Sequence, residues 1–176
     1  DLSQQQKYSG KKLQFFDPET KESYIPYVIE TSIGLDRTFL MILSNAYIEE
    51  KVPSADGKME ERIVLKIPPV LAPVKLAVLP LIKKDGLPEK ARQIMDDLKY
   101  EFNCQYEEKD SIGRRYRRQD AIGTPFCITV DHQSTQDDTV TIRYRDSMKQ
   151  DRIPIAKIRD IISENVSFRS ALKDLT

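Results

Sequence analysis

The sequence predicts an α/β protein whose main part is a mixed sheet flanked by helices, preceded by a smaller antiparallel piece. Three observations predict it. From residue 74 onward, strand-like apolar runs alternate with helical stretches. The runs at 74–82 and 125–130 are almost continuously apolar, as in strands buried on both faces, whereas 139–144 alternates cleanly. Before residue 31, two short strand-like runs flank a turn. The totals constrain function only weakly. The 176 residues carry 28 Lys plus Arg and 28 Asp plus Glu, so a basic surface for nucleic acid must come from local clustering.

Taken in order, residues 12–17 read as a strand and Asp17, Pro18, Glu19 and Thr20 as the turn after it. Residues 24–30 read as the returning, antiparallel strand. From Leu35 the period becomes helical, with Leu35, Phe39, Ile42, Leu43 and Ala46 forming one stripe expected to be buried. Residues 53–58 form a turn-rich loop and 62–67 another strand. Pro68, Pro69 and Pro73 stiffen an extended connection, which places a domain boundary between 1–68 and 69–176. Strand 74–82 leads to a helix over 87–100, with Leu87, Ala91, Ile94, Met95 and Leu98 on one face and Pro88 in its first turn. Strand 102–106, a basic helix from Ser111 to about Gly123, strands 125–130 and 139–144, an extended piece at 152–154 and a helix carrying Ile158, Ile161 and Ile162 complete the order. No apolar run is long enough to span a bilayer. Cys104 and Cys127 read as reduced, buried thiols of a cytosolic protein, and a single histidine, His132, offers no metal set. The chain opens at Asp1 without Met or a targeting segment, which reads as an excised fragment.

Two constellations carry chemistry. The first is Glu30-Thr31-Ser32-Ile33-Gly34-Leu35-Asp36-Arg37, at a strand-to-helix junction. Glu30 can pair with an ammonium group or a metal, and Ser32 can accept or donate a hydrogen bond. Gly34 lets a ring lie against backbone, and Arg37 can stack on a base while holding a phosphate oxygen. Asp36 either orients Arg37 or favours the helix start. The second is Arg114, Arg115, Tyr116, Arg117 and Arg118, a run of one sign with only Asp120 adjacent to neutralise it. A solvated helix face is the ordinary fate of such a run. A phosphate backbone with Tyr116 stacked on an unpaired base is the reading favoured here. Arg143 and Arg145 leave one face of a strand and extend the patch. Asp131 and Asp146 either accept from base amino groups or pair with those arginines. Lys83, Lys84, Asp85 and Gly86 read as a polar turn, since one glycine cannot build a phosphate nest.

Residues 24–37, ending in Gly34-Leu35-Asp36-Arg37, resemble the third signature motif of class II aminoacyl-tRNA synthetases. Together with the runs at 1–3, 8–11, 16–19, 71–90 and 111–126, they resemble the homodimeric glycyl-tRNA synthetases over most of the chain. The resemblance implies the antiparallel-sheet end of a catalytic domain followed by an anticodon-binding domain. It implies a cytoplasmic, homodimeric ligase that joins glycine to its tRNA through glycyl-adenylate, with Mg2+-ATP as substrate. It implies that Glu30, Thr31, Ser32, Ile33 and Gly34 line the glycine pocket and Gly34, Leu35, Asp36 and Arg37 the ATP site, with Glu30 and Arg37 catalytic. It further implies anticodon-loop contact by the second constellation. Thr31 stands where the family commonly has Pro, and the first two class II motifs are absent, so the chain alone is expected to be catalytically incomplete. The rival is a binding module without catalysis, as in polymerase accessory subunits that resemble this synthetase. A third reading is a dimerisation fragment whose basic helix packs on acidic protein.

Overall fold

The apolar run around Val78 becomes an interior strand of a mixed sheet. The computed structural model describes residues 1–53 and 57–173, and its contacts divide the chain into two units, Asp1–Thr38 and Phe39–Thr176. In the first unit, helix α1 (Leu2–Ser9) closes at Gly10 in the left-handed conformation. Strands β1 (Phe15–Phe16) and β2 (Ser23–Tyr24) pair antiparallel around the expected turn. In that turn the Lys21 N–H donates to the Asp17 carbonyl at 2.8 Å, and the Glu19 N–H donates to Asp17 Oδ1 at 2.9 Å. The expected strand over 24–30 is corrected, because pairing stops at Tyr24 and residues 25–34 adopt no regular structure. A two-residue partner supplies too few ladder bonds to hold a longer strand.

Helix α2 (Leu35–Ala46) forms as its period predicts, but the predicted burial of its stripe is also corrected. Leu35 is 82% and Phe39 63% exposed, Ile42 and Leu43 are half-buried, and Ala46 alone of the five is buried. Periodicity specifies which face would be covered, while burial needs a layer to cover it. The chain then passes without a loop into β3 (Tyr47–Pro53), which pairs antiparallel with β4 (Met59–Leu65), from Tyr47 opposite Leu65 to Pro53 opposite Met59. β3 was not anticipated, and β4 begins three residues before the expected strand. Of the expected loop at 53–58, residues 54–56 lie outside the described residues.

The second unit continues with β5 (Leu76–Pro80), α3 (Leu87–Leu98), β6 (Cys104–Tyr106), α4 (Ile112–Ile122) and β7 (Phe126–Val130). A short α5 (Ser134–Asp137), β8 (Thr139–Tyr144), β9 (Gln150–Pro154), α6 (Ile158–Val166) and α7 (Phe168–Lys173) follow. Among the described residues the sheet runs β6-β5-β7-β8-β9, with β5 parallel to β6 and β7, and β8 antiparallel to β7 and β9. All five residues of β5 and of β7 are buried, because helices cover both faces. On one face Leu76, Val78, Phe126, Ile128, Val140 and Ile142 meet Leu87, Ala91, Ile94 and Leu98 of α3 and Ile158 and Ile162 of α6. On the other, Ala77, Leu79 and Cys127 meet Ile112 and Tyr116 of α4. Among the described residues no helix is long and apolar enough to cross a membrane.

Candidate functional site

The first constellation lies at the N-terminal end of α2. Residues 27–37 are all exposed. Gly34 starts the helix, its carbonyl accepting from both the N–H and the Oγ1 hydroxyl of Thr38 at 3.0 Å. The Arg37 stem lies against Gly34, where an added Cβ would stand 3.6 Å from Arg37 Cδ. Sequence order therefore brings Gly34 and Arg37 together, whereas no hydrogen bond or ion pair joins Glu30 to Ser32 or Arg37 within this unit.

The second constellation is sorted by the helix that carries it. α4 starts after Ser111 and ends at Gly123, whose φ of 84° is left-handed and whose Cα approaches β4 so closely that a Cβ would lie 3.0 Å from the Leu65 carbonyl oxygen. Arg114 is exposed and Arg117 half-buried, with Nη2 of Arg117 3.4 Å from Oε2 of Glu60. Arg115 is buried, donating to the carbonyls of Pro80 at 2.5 Å and Leu81 at 3.0 Å. Burial lowers its pKa, and its Nε has no hydrogen-bond partner among the described residues. Arg118 donates to Glu107 at 2.6 Å, Asp110 at 2.9 Å and the Lys109 carbonyl at 2.7 Å. The premise that only Asp120 neutralises the run is thus corrected, because the loop before α4 folds two carboxylates back onto Arg118.

Arg143 lies on β8, but Arg145 falls in the turn just after the strand ends at Tyr144, and both are buried. Arg143 donates to Oδ1 and Oδ2 of Asp120 at 2.8 and 3.0 Å. Burial by itself would lower the Arg143 guanidinium, yet the Asp120 carboxylate outweighs it and leaves its pKa raised. The other side of that guanidinium stacks 4.7 Å from the Tyr116 ring centre, and the Tyr116 hydroxyl meets Thr129 Oγ1 at 2.5 Å. Asp120 is fully buried and also accepts from Nε of Arg62 at 2.9 Å. Arg62 extends to Glu50 at 2.5 Å and to the Arg145 carbonyl, and Arg145 donates to the Gly123 carbonyl at 2.8 Å and to Asp146 at 2.7 Å. One carboxylate therefore ties the β3–β4 hairpin to α4 and β8. Of the two acids left open above, Asp146 pairs with Arg145, and Asp131 with Arg152 at 2.6 Å.

A groove with a volume of about 510 Å3 opens beside α4. Arg114, Tyr116, Arg117 and Arg143 line one side, and Pro53 and Glu60 of the hairpin another. Met148 of the β8–β9 turn and Gln150 at the start of β9 also line it. The basic run pointed to this groove, but nothing in the sequence pointed to the hairpin residues Pro53 and Glu60, which are far from Arg114 in the chain.

The groove thus sits on a mixed sheet clad by helices, lined by the exposed Arg114, the half-buried Arg117 and the Tyr116 ring. The profile of the anticodon binding domain family matches residues 75–165, and the chain belongs to that family. Among its relatives are proteins named glycine–tRNA ligase. One from Chlorobaculum tepidum is 55% identical over 93% of this chain and 34% of its own length, and one from Thermobifida fusca is 49% identical over 95% and 36%. The chain thus spans about a third of the curated relatives it matches. Two solved structures share the fold. The RNA binding domain of threonyl-tRNA synthetase from Cryptosporidium parvum has a TM-score of 0.52 at 19% identity, covering 57% of this chain and 25% of that one. Prolyl-tRNA synthetase from the same organism has a TM-score of 0.54 at 18% identity, covering 70% and 32%.

Proposed function

We propose that this chain is the anticodon-reading part of a glycine–tRNA ligase, with residues 69–176 as the anticodon-binding domain and 1–68 as the end of the catalytic domain. The observation that carries this is the groove beside α4, in a chain about half identical to proteins named for that activity. Arg114 is exposed where it can neutralise a loop phosphate, Arg117 is half-buried at the groove beside Glu60, and Tyr116 supplies a ring for a base. Arg115, Arg118, Arg143 and Arg145 serve the groove from within, fixing α4 and the Tyr116 plane.

In the whole enzyme, glycine's carboxylate attacks the α-phosphorus of Mg2+-bound ATP and pyrophosphate leaves. The terminal ribose hydroxyl of the tRNA then attacks the adenylate carbonyl and AMP leaves. Glu30 and Ser32, within Glu30–Gly34, hold the glycine ammonium group. Gly34, Leu35, Asp36 and Arg37 form part of the ATP site, where Arg37 offsets charge on the phosphates. Homodimerisation and a cytoplasmic location belong to the same reading. The polymerase-accessory alternative is not favoured, because the close relatives named above are ligases.

The test is a titration of this chain with glycine tRNA and with the same tRNA carrying an altered anticodon, at two salt concentrations. Salt-sensitive binding that weakens with the altered anticodon supports the reading, and binding indifferent to the anticodon overturns it.

A further inference from the structure

The hairpin β3–β4 lies outside residues 75–165, yet it walls the groove with Pro53 and Glu60. Glu60 is the sole carboxylate among the described residues lining that groove, where the other charged groups are the donors Arg114, Arg117 and Arg143. It stands beside Arg117, 3.4 Å from Oε2 to Nη2, with its side chain 53% exposed.

From this juxtaposition we infer that Glu60 is a specificity-determining residue of the groove, reading a base that carries an exocyclic amino group beside a ring-nitrogen acceptor. An acceptor-only carboxylate next to a donor-only guanidinium complements that edge. Glu60 accepts from the amino group and Arg117 donates to the neighbouring ring nitrogen. Cytosine and adenine present this order of groups. Uracil reverses it, setting a carbonyl against the carboxylate and its ring N–H against the guanidinium, so that two polar groups on each side are left unpaired. Before RNA arrives, Glu60 and Arg117 hold each other in position, and the base inserts across the pair.

The inference rests on the anticodon reading above, and one experiment separates the two. The full chain is titrated by fluorescence anisotropy with short RNA hairpins whose unpaired loops differ only by cytosine or uracil, using wild type, Glu60→Ala and Glu60→Gln. Wild type is expected to prefer cytosine by about 10-fold, the scale of one good base-edge pairing. Glu60→Ala should bring that preference to within about 2-fold by losing affinity for the cytosine loop alone. Glu60→Gln should narrow the preference as well, because an amide can present either a donor or an acceptor. A preference that survives Glu60→Ala, or a loss equal for both loops, overturns the inference, as does a wild type that binds RNA without preferring cytosine. Absence of salt-sensitive binding to any hairpin overturns the anticodon reading and this inference with it. Glu60 is half exposed, so circular dichroism should show the wild-type fold in both variants.

Discussion

Asp120 takes hydrogen bonds from Arg62 and Arg143 in a fully buried position, so its charge is what makes those two buried cations tolerable. Removing one partner of such a set leaves the others uncompensated. Asp120→Ala should therefore destabilise the protein by roughly 3–5 kcal/mol, read as a fall in the urea midpoint at unchanged slope. Glu50, at the edge of the same network, has its pKa held below the ordinary glutamate value, first by Lys66 and also by Arg62. Because the folded value lies below the unfolded one, this contribution is complete above the unfolded glutamate pKa, about 4.3, and is lost as pH falls through the folded value. The melting temperature should accordingly fall on acidification below about pH 4, and Glu50→Gln should reduce that dependence. Burial pushes the Cys127 thiol up to about 12 and the Cys104 thiol up to about 11. Neither should react with a thiol reagent at neutral pH until the chain is unfolded. At this scale the sequence was least legible. Arg115, Arg143 and Arg145 look like their exposed neighbours in a list of residue types, and only the fold reveals which carbonyl or carboxylate each one meets.

At the scale of elements, α4 and β8 were legible nearly to the residue, since a capping serine, a terminal glycine and a clean alternation mark their ends. The hairpin was only half legible. Only the end of β4, Ile63 to Leu65, is an apolar run, and β3 starts at Tyr47 immediately after a helix, with no turn residue to announce the change. The strand expected at 24–30 and the burial expected for α2 failed for one reason, that both need a neighbouring layer which local pattern cannot supply. Gly123 gives this scale its test. Its left-handed φ and the 3.0 Å approach of a Cβ to the Leu65 carbonyl both oppose a side chain. Gly123→Ala should cost more than about 1 kcal/mol. It should also speed amide exchange in β4 more than in β7, as measured by hydrogen–deuterium exchange.

For the whole molecule, charge balance hides a local field. Net charge is zero, yet Arg114 and Arg117 stand together at the groove. Binding to RNA should weaken steeply with salt, and Arg114→Gln should flatten that dependence by about one phosphate contact. In the first unit, apolar side chains are left in water. Tyr27 is 99%, Ile29 96% and Leu35 82% exposed. Patches of that kind drive association. Light scattering on this chain should show a mass that rises with concentration, and Ile29→Lys with Leu35→Lys should reduce the rise.

The clasp around Asp120 has a consequence for grafting. The proline-rich stretch from Pro68 to Pro73 looks like a seam at which modules could be exchanged. A crossover there would part Arg62 from Asp120 and Glu60 from Arg117, orphaning a buried charge and stripping one wall from the groove. A graft meant to keep this groove should therefore break the chain upstream of Tyr47 and carry hairpin and sheet together.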